Sequence, residues 1–251
     1  VEELATNLIG VKIASEKINK LKAKQMPVSK EEVELFKQNL PFKLTNAQER
    51  TIKEISDDIS LEKPMRRLVQ GDVGSGKTVV AAVSMYISAK NNTQSVLLCP
   101  TEVLAEQHFK NFSAWFKNSK IKIELLTGKM PVSKRRGIYQ DLEDGVIDIL
   151  IGTHAVFQDK VKMKNLGLVV VDEQQRFGVK QRFDLVKKSS DQIMPHQLFM
   201  TATPIPRTLA MTIFADLETS KIDELPPGRK PVETLVYSDK KKDEIVKRLE
   251  T

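Results

Sequence analysis

The sequence predicts an α/β fold, with a mostly parallel sheet flanked by helices and an N-terminal helical segment before it. From position 41 onward, short apolar runs typical of strands alternate with amphipathic stretches of about a dozen residues. Helical crossovers between such strands make them parallel and place helices on both faces of the sheet. A glycine-rich segment follows the first apolar run. It agrees with this architecture, in which ligands bind beyond the carboxyl ends of the strands.

The composition is that of a globular protein with a basic excess. Of the 251 residues, 40% are hydrophobic and 29% charged, and the net charge is +7. That charge permits a polyanionic partner without establishing one, because a solvated basic surface has the same composition. The single cysteine, Cys99, excludes an internal disulfide and favours a reducing compartment. With no signal-peptide pattern and no apolar run of membrane-spanning length, we expect a cytoplasmic protein with no membrane partner.

Residues 1–40 are predicted to form a helical connector, with helix over residues 1 to about 38. Apolar side chains recur there at roughly helical spacing among many lysines. They are Leu4, Leu8, Val11, Ile18 and Leu21. Within the connector, "MPVSKEEVELFKQNL" predicts a short second helix with Ser29 as its N-cap.

Residues 41–225 are predicted to form one domain containing six strands. The strands are "RRLVQ" (66–70), "SVLLCP" (95–100), "IKIELL" (121–126), "VIDILIG" (146–152), "LGLVVV" (166–171) and "HQLFMT" (196–201). The Pro- and Gly-containing segment "ELPPGRKPVET" (224–234) predicts an interdomain linker. Residues 226–251 then add only a strand, "VETLVY", and a basic helical start, which we expect to begin a second domain.

"GDVGSGKT" (71–78) fits the phosphate-loop pattern G-x-x-x-x-G-K-[ST] between a predicted strand and a predicted helix. Its backbone N–H groups and the helix N-terminus would face phosphate oxygens. The loop residues expected around the phosphates are Gly71, Gly74, Ser75 and Gly76. Lys77 would place its ammonium group against the β- and γ-phosphates, and the Thr78 hydroxyl would bind Mg²⁺. A glycine-rich turn that matches by chance is disfavoured by the strand–loop–helix context.

"LVVVDEQQRFGV" (168–179) runs a buried strand into two adjacent carboxylates. Asp172 stands at the strand end, where a phosphate-loop NTPase needs its second metal ligand. Glu173 is the candidate for orienting or deprotonating an attacking water. The alternative is an exposed turn, where Asp and Glu are common. The phosphate loop weighs against it, because Lys77 and Mg²⁺ would relieve the repulsion between the two acids.

As a set, the motifs resemble those of superfamily 2 helicases, most specifically the bacterial RecG-type DNA helicase. The motifs are "QGDVGSGKT", "CPTEVLAEQH", "IGTHA", "DEQQRFGV" and "TATPIPRTLA", with "IDELPPGRKPVET" matching the interdomain segment. The resemblance covers residues 41–237 and implies a RecA-like domain that uses ATP and Mg²⁺ to translocate on branched or forked DNA. Transcription-repair coupling translocases are the nearest alternative. The opening "QGDVGSGKT" and "DEQ" favour the RecG type.

The resemblance also implies roles for residues ahead of the phosphate loop and beside the other strands. Phe42 and Gln48 would grip adenine, although Thr45 and Gln48 also form a capping-box pattern, and both roles can hold together. Four residues after other strands would contact DNA: Thr101, Gly128, Thr153 and His154. Thr101 is equally an ordinary N-cap, and His154 alone is an unremarkable surface histidine.

Thr201 and Thr203, in "TATP", match the motif that links nucleotide state to domain movement in the family. The sequence departs from the RecG type at Gln175, where histidine is usual. Glutamine can hydrogen-bond with Thr201 or Thr203 but cannot become positively charged. The departure therefore bears on the coupling of hydrolysis to DNA and leaves the roles of Asp172 and Glu173 unaffected.

The family's second motor domain, which supplies an arginine finger, and its N-terminal wedge domain have no counterpart here. We expect both in a longer protein, and we expect this chain alone to bind nucleotide weakly and hydrolyse it poorly. Two other classes compete with the helicase interpretation. A GTPase, kinase or transporter ATPase lacks support, since neither N-K-x-D nor L-S-G-G-Q occurs. A DNA-binding module with a vestigial nucleotide site would tolerate Lys77→Ala.

Overall fold

The computed structural model describes residues 21–173, 193–203 and 217–226. Within these ranges seven strands form one sheet in which every pairing is parallel, with the order β3-β4-β2-β5-β6-β1-β7. The strands are β1 (Arg66–Gly71), β2 (Gln94–Leu98), β3 (Ile123–Leu126), β4 (Ile149–Gly152), β5 (Leu166–Val171), β6 (His196–Thr201) and β7 (Glu218–Ile222). The predicted fold class, a parallel sheet flanked by helices, is confirmed.

Five α-helices and one 3₁₀ helix accompany the strands in the described ranges. They are α1 (Lys30–Gln38), α2 (Asn46–Ile59), α3 (Lys77–Lys90), α4 (Glu102–Trp115), α5 (Val132–Asp144) and the 3₁₀ helix His154–Phe157. Helices α3, α4 and α5 make the crossover connections β1–β2, β2–β3 and β3–β4, because strands that run parallel in one sheet cannot be joined by a tight hairpin. No helix in the described ranges has the length and apolar character needed to cross a bilayer.

The sheet is buried on both faces, which explains why its central strands are continuous apolar runs. In β5, Leu168 and Val170 belong to the core beneath α1, α2, α3 and α4. Val169 and Val171 point to the opposite core, which is packed by α5 and the 3₁₀ helix. This alternation follows from the two-residue period of a strand. The strand's carboxyl end, and the acids that follow it, therefore stand between two packed layers.

The segment before the first strand packs into the first of these cores. Ser29 caps α1 as predicted, because its side chain accepts a hydrogen bond from the Glu32 backbone N–H at 3.2 Å. Phe36 then stacks on Tyr86 of α3, with ring centroids 4.6 Å apart. Met26 is fully buried in the same core.

The helix predicted across residues 21–29 is wrong. This stretch is non-helical, and Lys22 forms an isolated parallel bridge with Ile193. Its backbone is bonded to the turn after α2: Ala23 N donates to Glu62 O and Met26 N donates to Ile59 O, at 2.7 and 2.8 Å. These tertiary hydrogen bonds replace the intrahelical ones that the apolar spacing indicated. Residues 1–20, and the strand and helix expected after position 226, lie outside the described residues.

All six predicted strands are present, some with shorter bounds than predicted. The seventh strand, β7, is missed because its sequence "ETSKI" alternates polar residues and lacks an apolar run. Those polar residues are accommodated by Arg67 of β1. Its guanidinium donates to Ser220 Oγ at 2.8 Å and pairs with Asp58 at 2.8 Å. The strand is thus stabilised by a part-buried polar network at the edge of the sheet.

Candidate functional site

All predicted site residues that the structure describes, except Phe42 and Gln48, lie at or after the carboxyl ends of strands. They divide into two groups by strand order. One group follows the adjacent strands β5, β6 and β1, and the other follows the adjacent strands β3, β4 and β2. Because parallel strands all end at the same edge, the two groups lie side by side, with the β2–β5 pairing as their boundary.

The phosphate loop connects β1 to α3 through left-handed glycines. Gly74 has φ 75° and Gly76, the N-cap of α3, has φ 90°. A Cβ atom at Gly76 would lie 2.1 Å from Gln48 Nε2, and one at Gly71 would lie 2.5 Å from Ser75 Oγ. Only glycine satisfies the conformation and the space at position 76. The loop therefore brings backbone N–H groups and the α3 N-terminus to one point, which is an arrangement suited to anions.

Lys77 is folded into this loop. Its Nζ donates to the carbonyl oxygens of Gly71 at 2.7 Å and Asp72 at 3.0 Å, and the residue is 9% exposed. A buried ammonium group beside a helix N-terminus concentrates positive charge, which favours a multiply charged anion such as a triphosphate.

Asp172 occupies the carboxyl end of β5, as predicted. Its backbone N–H donates to Leu98 O at 2.9 Å, and its Oδ2 lies 2.9 Å from Nε2 of His108 on α4. Both side chains are almost completely buried. Burial, and secondarily the Asp172 carboxylate, raises the pKa of the neighbouring Cys99 thiol. Cys99 therefore remains a protonated core residue, in agreement with its apolar sequence context.

Glu173 has φ 52°, a left-handed conformation that is uncommon for residues other than glycine. Such backbone strain costs on the order of 1–3 kcal/mol and concentrates at functional sites. The strained conformation turns the chain sharply just after Asp172, so that the two adjacent acids are not aligned along one extended strand.

The predicted coupling residues after β6 form a compact turn. Thr201 Oγ1 accepts from the Thr203 backbone N–H at 3.2 Å and lies 3.0 Å from Thr203 Oγ1. Gln70, one residue before the phosphate loop, donates from Nε2 to Thr203 O at 3.3 Å. This bond connects the β6 turn to the strand that carries the phosphate loop. Gln175 lies outside the described residues.

A cavity of about 620 Å³ adjoins the phosphate loop. Phe42, Gln48, Gly76, Thr78 and Trp115 are among its lining residues. The volume is within the usual range for a small-molecule or cofactor site. The Phe42 and Trp115 rings meet edge to face, with centroids 5.9 Å apart. The cavity therefore combines an apolar wall with an opening toward the phosphate loop.

Gln48 joins this cavity to the phosphate loop. The predicted capping box is confirmed, because Thr45 Oγ1 accepts from Gln48 N at 3.3 Å while Gln48 Oε1 accepts from Thr45 N at 2.9 Å. The Gln48 Nε2 group donates to Ser75 O at 2.8 Å. A side-chain amide has two donor hydrogens and two acceptor lone pairs, and these bonds use one of each.

The described residues fit a nucleoside triphosphate with a divalent cation. Ser75 Oγ is buried beneath the loop without a hydrogen-bond partner among them. No three His, Cys, Asp or Glu side chains cluster as a metal site in the described ranges. A cation would therefore share few protein oxygens, such as those of Thr78 and Asp172, with phosphate oxygens. Mg²⁺ is commonly bound in this way.

The second group of predicted residues lies after β2, β3 and β4. Thr101 caps α4, since its side chain accepts from Leu104 N at 3.3 Å. Thr153 N donates to Leu126 O at 3.4 Å, which bonds the segment after β4 to the end of β3. Thr153 is buried, whereas Thr101, Gly128 and His154 are exposed. The exposed members therefore present capping and backbone groups to solvent at this end of the sheet.

An ion pair connects the segments that follow β2 and β3. Lys129 Nζ lies 2.9 Å from Glu102 Oε2. The hydrogen bond from Lys129 lowers the pKa of Glu102, and the same contact raises the pKa of Lys129. Lys129 thus offsets the one acidic side chain at the start of α4, a position that would otherwise repel a phosphate backbone.

His108 and Trp115 are site residues to which the sequence analysis gave no role, although His108 ends the motif "CPTEVLAEQH". The available signal is their spacing, because Thr101, His108 and Trp115 recur every seven residues along the cap and length of α4. Two turns of an α-helix separate such positions, so they share one side of the helix.

Comparisons with known proteins agree with this geometry. The sequence model of the DEAD/DEAH box helicase family matches residues 45–212. The ATP-dependent DNA helicase RecG of Aquifex aeolicus (strain VF5) is 47% identical over 249 residues, which cover 99% of this chain and 31% of the relative. The RecG protein of Escherichia coli (strain K12) is 51% identical over 211 residues, which cover 84% of this chain and 30% of the relative. The chain thus spans less than a third of the length of these relatives.

Solved structures show the same likeness. The structure of RecG bound to a three-way DNA junction superposes with a TM-score of 0.82 at 39% identity, covering 99% of this chain and 33% of that one. The DUF1998 helicase MrfA bound to DNA has a TM-score of 0.59 at 16% identity, which shows the fold alone. The resemblance to RecG-type helicases that the motifs indicate is confirmed.

Proposed function

Because the chain belongs to the DEAD/DEAH box helicase family, we propose that it is the ATP-binding motor domain of a RecG-type DNA helicase. In this role it couples ATP hydrolysis to translocation on duplex DNA and to the remodelling of branched or forked DNA. One observation carries the proposal. The phosphate loop, the acidic pair and the threonine turn follow three adjacent strands, β1, β5 and β6, and so converge on one site.

ATP binds with its phosphates at the N-terminus of α3. The backbone of Gly71, Gly74, Ser75 and Gly76 surrounds the phosphates, and Lys77 exchanges its carbonyl partners for phosphate oxygens. Thr78 and Asp172 hold Mg²⁺, which neutralises phosphate charge when bound. Glu173 orients the attacking water and accepts its proton. In these roles the positive groups face the phosphates, whereas the two carboxylates face Mg²⁺ and the attacking water.

The adenine base occupies the cavity beside the loop. Phe42 and Trp115 supply aromatic surface for the base, because they line the cavity together with Thr78. Gln48 contacts the base with the donor and acceptor that its bonds to Ser75 and Thr45 leave uncommitted. The Gln48 side chain would thus contact both the base and the phosphate loop.

DNA binds along the second group of residues. Thr101, Gly128, Thr153 and His154 contact the phosphate backbone, where hydroxyl groups, backbone N–H groups and a helix N-terminus are typical donors. The Glu102–Lys129 pair supports this assignment because it compensates the acid at the α4 N-terminus. In this proposal DNA and nucleotide bind at adjacent strands, and the shared carboxyl edge of the sheet supports that arrangement.

The turn of Thr201 and Thr203, with Gln175, transmits the nucleotide state to domain movement. Residues 1–40 serve as the connector, residues 41–225 as the first motor domain, and residues 226–251 as the link to a second motor domain. That second domain and a wedge domain for branched DNA complete the cytoplasmic enzyme. The Gln70–Thr203 bond supports the coupling role, since it connects the turn to the phosphate-loop strand.

Substitution of Lys77 tests the proposed function. In the protein that carries both motor domains, we expect K77A to abolish ATP binding and DNA-stimulated ATP hydrolysis, because the ammonium group that faces the phosphates is lost. Binding of ATP and GTP and release of phosphate are measured with and without forked DNA. K63A is the matched control, because Lys63 is exposed and lies before β1, near the opposite edge of the sheet. Nucleotide binding and DNA-stimulated hydrolysis that persist in K77A would exclude the motor function.

A further inference from the structure

Helix α4 places a histidine directly against the carboxylate that ends β5. His108 Nε2 and Asp172 Oδ2 are 2.9 Å apart, and the two side chains are 8% and 12% exposed. The residues are 64 positions apart in the chain, so the contact is formed by the fold. A buried carboxylate with a polar partner of this kind is held in one orientation, because losing the bond would leave it unsatisfied.

We propose that His108 is a positioning residue that fixes the Asp172 carboxylate for Mg²⁺ and so bonds helix α4 to the nucleotide site. The inference rests on the proposed function, since it assumes that Asp172 holds the metal in the ATP complex. His108 donates from Nε2–H to Oδ2, and this bond fixes the plane of the carboxylate. The other carboxylate oxygen then keeps one direction, in which it can bind Mg²⁺. The histidine itself remains a hydrogen-bond partner and does not bind the metal.

The packing of α4 makes His108 a rigid support. Ala105, one turn before it, and Phe112, one turn after it, are both fully buried in the core under the sheet. The backbone that carries the imidazole is therefore held against the core. Partners that orient a metal ligand in this way commonly contribute about 10- to 100-fold in metal affinity or activity.

The position of His108 along α4 gives the contact a wider consequence. Thr101, the cap of the helix, stands in the proposed DNA group, and Trp115, its last residue, lines the cavity beside the phosphate loop. His108 lies midway between them on the same side. At 1.5 Å per residue the helix spans about 20 Å. A shift of α4 caused by DNA would therefore displace the partner of the metal-binding carboxylate.

The experiment measures how Mg²⁺ changes nucleotide affinity in the 251-residue chain. Trp115 is the only tryptophan in the chain, so its emission serves as the energy-transfer donor for N-methylanthraniloyl ATP bound in the adjoining cavity. In the unsubstituted chain, Mg²⁺ is expected to tighten binding relative to EDTA. In H108A, the Mg²⁺ concentration that gives half of this tightening should rise about 10-fold or more. The affinity for the nucleotide in EDTA should stay unchanged.

Two further substitutions separate positioning from simple packing. Glutamine places its amide nitrogen near the position of Nε2, whereas asparagine places its nitrogen near that of Nδ1. H108Q should therefore restore most of the Mg²⁺ response and H108N should not. This comparison remains informative even if H108A does not fold, and thermal unfolding of each variant is measured alongside.

The outcomes for the two proposals are distinguishable. An unchanged Mg²⁺ response in H108A and H108N would overturn the role of His108. Equal losses in EDTA and Mg²⁺, with no rescue by H108Q, would also overturn it by showing a structural role alone. If instead the unsubstituted chain binds the nucleotide no better than K77A, the inference fails, because the chain then has no nucleotide site for His108 to support. The proposed function is decided separately, by K77A in the protein that carries both motor domains.

Discussion

At the scale of single residues, the site depends on two backbone positions with left-handed conformations, Gly76 and Glu173. Gly76 has no room for a Cβ because Gln48 Nε2 occupies that space, and Gln48 is held there by Thr45 and Ser75. Glu173 takes a left-handed conformation without being glycine. The two features show opposite uses of the backbone, with glycine freedom at the phosphate loop and strain beside the proposed metal ligand.

A comparison of two glycine substitutions tests whether position 76 requires glycine. Gly76→Ala should lower the free energy of unfolding by roughly 1–3 kcal/mol, since alanine at φ 90° is strained and its Cβ meets Gln48. Gly137→Ala, in helix α5 with nothing within 4 Å of the new Cβ, should raise it by about 0.4–1 kcal/mol. Urea unfolding of both variants provides the measurement. If both substitutions change the free energy of unfolding by the same amount and in the same direction, the backbone at position 76 adapts to alanine without strain.

At the scale of elements, α4 contacts both groups of site residues. Its cap lies in the proposed DNA group, its centre contacts Asp172, and its last residue packs edge to face with Phe42. One rigid helix thus borders both halves of the carboxyl edge. By contrast, α3 carries the phosphate loop at its N-terminus and is buried on most sides, which suits a fixed platform.

The end of α4 can be tested through Trp115. Loss of an aromatic wall for a stacked base commonly costs about 1–3 kcal/mol, so Trp115→Ala should weaken ATP binding by that amount. Trp115→Phe should retain most of the affinity. Isothermal titration gives both values, with inorganic triphosphate as the control ligand, because it binds the phosphate loop without a base. An equal loss for triphosphate would place the effect in the fold of α4 and not in the base cavity.

At the scale of the whole molecule, a buried histidine joins the segment before α1 to the sheet. His196 of β6 accepts from Met65 N through Nδ1 at 3.0 Å, and its Nε2 donates to Lys24 O at 2.8 Å. This pattern requires the neutral ring, and burial lowers the pKa of His196 from its ordinary value of 6.5. The unfolded chain therefore takes up a proton at a higher pH than the folded chain does.

Stability should consequently depend on pH through this residue. Its contribution is complete above about pH 6.5, and it declines as the pH falls below that value, because protons then bind preferentially to the unfolded chain. Urea unfolding between pH 8 and pH 5 measures the decline. In His196→Gln, which cannot take up a proton, the decline should be shallower. Parallel curves for the two proteins would assign the acid sensitivity to other groups.

Much of the fold and of the candidate nucleotide site could be predicted because their signals are local. The strands β1 to β6 are short apolar runs, the phosphate loop is eight consecutive residues, and Asp172 adjoins a buried strand. The helix across residues 21–29 was predicted wrongly because apolar spacing does not reveal that Met26 bonds to the end of α2. Strand β7 was missed because an Arg67 network accommodates its polar residues.

The sequence alone settles the fold class, the phosphate loop and the family resemblance, since each depends on residues that are adjacent or regularly spaced. The tertiary structure alone decides which distant side chains meet. His108 reaches Asp172, Trp115 reaches Phe42, and Glu102 pairs with Lys129. The physical reason is that helical periodicity specifies the side of α4 that is buried, but only the packing of α4 against the sheet specifies what that side touches.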